Sequence, residues 1–182
     1  MWKIRECETM NVLQTSIYPS PCGPLWLGSY EGKLCLCDWA NGRRRDDIDR
    51  RLQHGLHVRY EKGETDVIRE AARQLDDYFQ GRRLSFSVPL LLVGTDFQKA
   101  VWQSLSAIPY GQTVSYAEVA RRIGSPRAIR AVANANGVNA LSLFLPCHRV
   151  VGSDGALTGY GGGVDVKKFL LDLECRVETS RG

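Results

Sequence analysis

Cys147 stands directly before His148 in the run Leu145-Pro146-Cys147-His148-Arg149-Val150-Val151, which follows the largely apolar stretch Leu141 to Leu145. The thiolate, not the thiol, is the nucleophile, and an unperturbed cysteine titrates near ~8.5, so only a few per cent is thiolate at neutral pH. A neighbouring imidazole or cation lowers that value. The pair therefore has the residue types of a nucleophile and its base. A bare Cys-His dipeptide does not settle the matter: a buried structural thiol beside a surface histidine reads the same, because sequence neighbours need not touch.

The elements that must position the pair are well signalled. Residues 12–39 read as strands, with Leu25–Tyr30 and Lys33–Trp39 forming a hairpin about Glu31-Gly32. Residues 42–51 read as a charged loop or exposed helix start. Thr65 to Gln80 is an amphipathic helix with Val67, Ile68, Ala71, Ala72, Leu75, Tyr78 and Phe79 on one face and Gly81 as its stop. Phe86 to Val93, which contains Pro89, is a strand or extended connector. Thr95-Asp96-Phe97-Gln98 is a capping box opening a helix through Ala107, and Ser115-Tyr116-Ala117-Glu118 is a second, leading a short helix that ends at Gly124. Ser125 is expected to cap the next helix, with Pro126 at its first position and Gly137 closing it. Two short helices joined by Ile123-Gly124-Ser125-Pro126 fit a helix-turn-helix. Asp165 is expected to cap a last helix that turns Val166, Phe169, Leu170 and Leu173 inward. A glycine-rich loop, with Gly159-Tyr160-Gly161-Gly162-Gly163 at its end, precedes it.

The 182 residues suit one domain or two small ones, with composition ordinary for a globular protein. No apolar run is long enough to span a bilayer, and Met1-Trp2-Lys3-Ile4-Arg5-Glu6 lacks a signal-peptide core, so the expectation is a cytoplasmic protein without a membrane partner. Six cysteines, at 7, 22, 35, 37, 147 and 175, do not form a disulfide framework. Zinc bound by Cys7, Cys22, Cys35 or Cys37 with His54 or His57 is conceivable, but no CxxC pair supports it, and the reading assigns no metal. The net charge of +4 is modest. Its distribution is not: Ser115 to Arg149 holds Arg121, Arg122, Arg127, Arg130 and Arg149 against the single acid Glu118. Such an excess attracts phosphates, although a solvated helix face has the same look.

Thr95 to Glu174 resembles the O6-alkylguanine-DNA alkyltransferase family. The matching blocks, in order, are Phe97-Gln98-Lys99-Ala100-Val101-Trp102, Ile108-Pro109-Tyr110-Gly111, Ser115-Tyr116, Arg130-Ala131-Val132, Asn136-Gly137-Val138-Asn139, Pro146 to Val151, and Gly159-Tyr160-Gly161-Gly162-Gly163. The first ninety or so residues match loosely. The resemblance implies an α+β fold: a ribonuclease-H-like α/β domain over residues 1–92, then a mainly helical, winged-helix-like helix-turn-helix domain over 93–182. It implies direct-reversal DNA repair, in which Cys147 takes the alkyl group from O6-alkylguanine, and from O4-alkylthymine, once and irreversibly and without a cofactor. The partner is double-stranded DNA, bound in the minor groove by a monomer with the damaged base flipped out. Cooperative binding along DNA is left open.

The resemblance assigns roles residue by residue. His148 is the base, acting through a water, and Glu174 orients it. Asn139 fixes the turn before the nucleophile. Tyr116 donates to the leaving guanine, and the carbonyls of Cys147 and Val150 accept from its exocyclic amine. Tyr160 and Gly161 line the base pocket. Arg130 fills the gap in the base stack, while Ser115, Arg127 and Ala131, with Ala128 and Ala135, let the second helix approach the backbone. Arg149 is assigned a structural or electrostatic part. Three positions depart from the family pattern: Ala140 and Asp96 stand where proline is frequent, and Gly161 where some members carry serine. Two other classes stay in view. A Cys-His hydrolase or acyltransferase would turn over repeatedly. A DNA-binding regulator would prefer one undamaged sequence, which needs long polar side chains for base edges that the alanine-rich second helix lacks.

Overall fold

A computed structural model of the chain describes residues 11–180. Three strands, β1 (Asn11–Ser20), β2 (Gly23–Tyr30) and β3 (Lys33–Trp39), form an antiparallel meander. The β2–β3 turn places Glu31 and Gly32 at φ 48° and 72°, the left-handed pair whose twist matches the flanking strands. Helix α1 (Arg45–Leu56) then crosses to β4 (Val58–Lys62), which lies parallel to β1 and completes the order β3-β2-β1-β4. Helix α2 (Asp66–Phe79) packs on β1, β2 and β3 through Ile68, Ala71, Leu75 and Tyr78, with Thr65 Oγ1 accepting from Ile68 N as its cap.

The charged stretch at 42–51 is thus mostly helix. Its mixed signs fall at i,i+3 and i,i+4 spacing, where Arg44 pairs with Asp47 at 2.6 Å and Arg45 with Asp49 at 2.8 Å. Strand β4 has no counterpart in the sequence reading; it buries only Val58, so its period-2 signal is short and weak. Residues 86–93 form a connector whose one ladder contact is the Leu34–Leu90 bridge.

The second half holds α3 (Asp96–Leu105), α4 (Tyr116–Arg122), α5 (Ile129–Gly137) and α6 (Val164–Thr179), with a two-stranded parallel ribbon of β5 (Val114–Ser115) and β6 (Val150–Val151). The Thr95–Gln98 capping box is complete, though α3 ends at Leu105. The Ser115 box is half made: its hydroxyl accepts from Glu118 N at 3.1 Å, but the Glu118 carboxylate turns outward to Arg121 and Arg122. Ser125 does not cap α5. Its carbonyl accepts from Ala128 N at 2.8 Å, closing a separate turn, and α5 starts only after Ala128 (φ −90°, ψ 27°). Nor does Asp165 cap α6; the cap is Gly163 at φ 95°, and Asp165 sits in the first turn. One hydrophobic core runs through both halves, from Leu13 and Leu27 to Trp102, Val119 and Leu170. No helix among the described residues is long and apolar enough to cross a membrane.

Candidate active site

Cys147 to Arg149 form a single 3₁₀ turn between the buried 138–146 segment and β6. The segment is anchored on both sides. Asn139 Nδ2 donates to Leu145 O at 2.9 Å, and its Oδ1 accepts from Leu141 N at 3.0 Å, so one side chain ties off the loop that presents the cysteine. Within that loop the buried Leu143 takes φ 73°, a left-handed conformation that costs a bulky side chain energy and recurs at functional sites.

His148, fully buried, lies with Nε2 2.7 Å from Glu174 Oε1. Glu174 reaches it from α6 and is also fully buried. Its oxygens accept further from Tyr78 Oη at 2.7 Å, Arg149 Nε and Nη2 at 2.9 and 3.0 Å, and Gly111 N at 3.0 Å. Arg149 also donates through Nη1 to Ile108 O at 2.7 Å and lies over the Tyr110 ring. Burial alone would push the Glu174 carboxyl up, but the hydrogen bonds and charges of His148 and Arg149 prevail and bring it to about 2. Burial pushes His148 down against the pull of Glu174, so the ring is neutral at pH 7. A neutral imidazole facing a carboxylate through Nε2 must carry its proton there. Nδ1 is then a bare lone pair, and it is buried with no partner among the described residues.

The thiol differs from expectation. Burial raises the Cys147 pKa rather than lowering it; the polar side chains of Asn139 and Ser142 and the charge of Lys167 act against that rise, and Asp38 adds to it. Its neighbour in sequence contributes no direct hydrogen bond, because the free nitrogen of His148 is not bonded to the sulfur. The resting cysteine is therefore a protonated thiol that reacts only when a base takes its proton.

The pocket residues assemble nearby. Tyr116, at the start of α4, donates to Thr158 O at 3.2 Å, and burial keeps its phenol protonated. Val150 is wholly buried, with its carbonyl held by Lys167 Nζ at 2.5 Å; the Cys147 carbonyl accepts from Asn136 Nδ2 at 3.4 Å. Tyr160 packs edge-on against Trp39 and His148, with ring centroids 6.1 and 6.4 Å away. Gly161 O accepts from Arg43 N at 3.3 Å. A cleft of about 310 Å³ opens beside Tyr160, between Arg43 and Arg44, Ala133 and Asn134 of α5, and the 159–164 loop. Cys147 is not among the residues that line this cleft.

Lys167 escaped the sequence reading. It is fully buried on α6, donates also to Thr158 O at 2.9 Å, and burial brings it down to about 8. Tyr78, Ser142 and Asp38 were missed as well. Lys167, Leu170 and Glu174 fall on one stripe of α6, so a polar residue at each end of an apolar seam was the available signal for Lys167.

The surface arginines divide differently from the sequence count. Arg121 and Arg122 share Glu118, and Arg149 is buried against Glu174, which leaves Arg127 and Arg130 as the exposed cations of the α4–α5 pair without a carboxylate partner among the described residues. Ala131 is exposed beside them, whereas Ala135 faces the core and its carbonyl accepts from Trp102 Nε1 at 2.8 Å. These residues stand on the outer surface, apart from the buried cluster. Among the described residues no group of three histidines, cysteines or acids could hold a metal; Cys7 lies outside them.

Residues 96–176 match the family model described as 6-O-methylguanine DNA methyltransferase, DNA binding domain, and residues 13–92 its ribonuclease-like domain. A methylated-DNA–protein-cysteine methyltransferase of Methanosarcina barkeri is 48% identical over 158 residues, 87% of this chain and 94% of that protein. The constitutive enzyme of Bacillus subtilis is 52% identical over 115 residues, 63% of this chain and 70% of its own. The crystal structure of Mycobacterium tuberculosis OGT in complex with DNA superimposes with TM-score 0.76 at 40% identity, covering 91% of this chain and 94% of that one. With two family models that together cover most of the chain, the Methanosarcina barkeri and Mycobacterium tuberculosis proteins matched over 94% of their lengths and a two-part α+β fold in common, this chain belongs to the methylated-DNA–protein-cysteine methyltransferase family.

Proposed function

We propose that the chain removes the alkyl group from O6-alkylguanine in double-stranded DNA, and from O4-alkylthymine, by transferring it to Cys147 in a single irreversible turnover. The observation that carries this reading is the His148 ring, clamped by Glu174 at Nε2 and bare at Nδ1, next in sequence to a buried thiol. In the step so written, Nδ1 takes the thiol proton through a water and the sulfur attacks the alkyl carbon in line. The C–O6 bond breaks and the guanine leaves with a proton from the Tyr116 hydroxyl, and the proton taken from the thiol returns from His148 through solvent to the tyrosinate. Glu174 stabilises the imidazolium that forms. The product thioether has no route to hydrolysis, which limits each molecule to one event, and thiol and lesion together hold every atom required, so no cofactor enters.

The lesion is buried within a duplex, so the base must be flipped out. We assign α4 and α5 to a helix-turn-helix that meets the minor groove, within a winged-helix-like unit over residues 93–182; residues 1–92 form a ribonuclease-H-like unit. Arg130 fills the vacated stack, and Ser115, Arg127 and Ala131 face the phosphate backbone. Tyr160, Gly161 and the carbonyls of Cys147 and Val150 receive the base. The protein acts as a monomer in the cytoplasm. The arrangement of exposed Arg127 and Arg130 around small residues supports non-specific, salt-sensitive binding.

The test is an intact-mass and peptide-mass measurement after mixing the protein with a duplex carrying one O6-methylguanine, beside Cys147→Ser. One methyl on Cys147 with an equal amount of guanine restored is the expected result. Lesion binding without an adduct, or several turnovers per molecule, would overturn the reading.

A further inference from the structure

The glycine-rich loop is packed from behind by a residue of the first half of the chain. Trp39 ends β3 and is 3% exposed. Its backbone is fixed by pairing with Leu25 in β2 and by its carbonyl, which accepts from Gly42 N at 2.9 Å. A Cβ on Gly23 would meet one edge of the indole at 3.9 Å, whereas a Cβ on Gly162 would meet Cδ1, Cδ2 and Cε2 at 2.8 Å. Gly162 therefore lies with its Cα close against the indole. Gly159 and Gly163 take φ 64° and 95°, but Gly162 is outside the left-handed region, so the indole, not the backbone conformation, excludes a side chain there. Tyr160 packs edge-on against the same ring, and Arg43 N ties Gly161 O to the residues that follow β3.

The loop thus has two sides. Gly159, Tyr160, Gly161 and Gly163 line the cleft of about 310 Å³ whose far wall is α5; Gly162 does not line it and lies on the indole instead. We propose that Trp39 is a positioning residue for this loop and thereby sets specificity: the indole fixes how far the 160–163 loop stands from α5, and so limits the size of the alkylated base that can enter. It acts through the loop and is not assigned a contact with the base or the sulfur. The assignment presupposes Cys147 as the alkyl acceptor and the loop as the receiver of the base.

Two opposite changes follow from a loop held between an indole and a cleft. A smaller side chain at position 39 leaves a void behind the loop. The loop settles into it, away from α5, and the cleft widens. A methyl on Gly162 cannot share space with the indole, so it pushes the loop the other way and narrows the cleft. Both changes act on one contact, so they are coupled: with the indole gone, the methyl fills the void instead of displacing the loop.

The experiment follows single-turnover transfer to Cys147 by intact mass, from two duplexes of one sequence that carry O6-methylguanine or O6-benzylguanine. The proteins are wild type, Trp39→Leu, Trp39→Phe, Gly162→Ala and the double variant Trp39→Leu/Gly162→Ala. The amplitude counts the molecules able to react, so a folding defect lowers the amplitude, while the rate constant reads the site of the molecules that remain folded. The benzyl-to-methyl ratio of rate constants is expected to rise about tenfold in Trp39→Leu, to rise less in Trp39→Phe, and to fall about tenfold in Gly162→Ala. A merely structural Trp39 would lower amplitudes, or both rates together, and leave the ratio where it was. Each single change should also slow methyl transfer about three- to tenfold; independent losses would multiply in the double variant, whereas one shared contact predicts recovery to within about threefold of wild type. Unchanged ratios in both Trp39 variants, or a double variant slower than either parent, overturn the role of Trp39 and leave the repair reading standing. No methyl on Cys147 of the wild type removes the repair reading itself, and this assignment with it.

Discussion

The two edges of the His148 ring sit in opposite environments. On the Nε2 side, Glu174 accepts five hydrogen bonds from four residues, and the buried charges of Glu174 and Arg149 answer each other. On the Nδ1 side the ring nitrogen has no partner among the described residues, and the cysteine next in sequence is kept protonated by its own burial. The saturated side is what makes the unsaturated side reactive. Fixing the proton on Nε2 decides the tautomer, and the tautomer leaves on Nδ1 an accepting lone pair of the kind the proposed transfer requires. A buried orphan nitrogen costs free energy, and the filled side supplies the rigidity that holds it in place.

The contrast is best broken from the filled side. Glu174→Ala strands Arg149 without its counter-charge and frees both tautomers of His148; it should cost on the order of 3–5 kcal/mol and abolish transfer, measured by thermal melting and by methyl uptake. Glu174→Gln should abolish transfer with a smaller loss of stability. Acid is a milder way to the same end. Glu174 is held near about 2 when folded but titrates near ~4.3 when unfolded. Its stabilisation is therefore complete above the unfolded value and fades as pH falls through the folded one, so the wild type should lose its advantage over Glu174→Gln in melts taken between pH 4 and 2. Lys167→Met sharpens the open side: it removes the cation that favours thiolate and the tie to the Val150 and Thr158 carbonyls, yet relieves a costly buried charge. Transfer should fall about tenfold, roughly 1.4 kcal/mol, while the melting temperature barely moves. Tyr78→Phe takes one donor of five and should cost about 1 kcal/mol while leaving single-turnover transfer within a few-fold. The smallest effect belongs to the pocket wall. A Cβ on Gly161 meets Asp38 and Trp39 at ordinary contact distances of 3.6 and 3.8 Å. Gly161→Ser should therefore melt within about 0.5 kcal/mol of wild type, whereas Gly162→Ala, whose Cβ would lie 2.8 Å from the Trp39 ring, should not.

What could be read from the sequence followed the range of the physics involved. Thr95 and Gln98 announce α3 because a capping box is made by residues three apart, and the hairpin at Glu31-Gly32 is equally local. Ser125 misled because a serine before a proline also closes an isolated turn, and only the conformation of Ala128 separates the two outcomes. In the site, Cys147 and His148 were visible as neighbours, but Glu174 was reached only through resemblance, since nothing local ties α6 to the 3₁₀ turn. Tyr78 looked like one more apolar face residue; its hydroxyl meets Glu174 across 96 positions of chain. Asp38 and Ser142 carry no pattern at all, because a backbone bridge between β3 and a loop brings them together.

The left-handed Leu143 and the close packing around Cys147 have a consequence for the protein after it has acted. An interior at crystal-like density has no slack for one more carbon, and overfilling such a site typically costs about 1–3 kcal/mol. The segment that carries Cys147 is the one already bent at Leu143. A spent molecule would therefore differ from a fresh one in more than mass. It would open more often and offer its chain to proteases sooner, so that a population of these proteins would record its own history of use in how long each member survives.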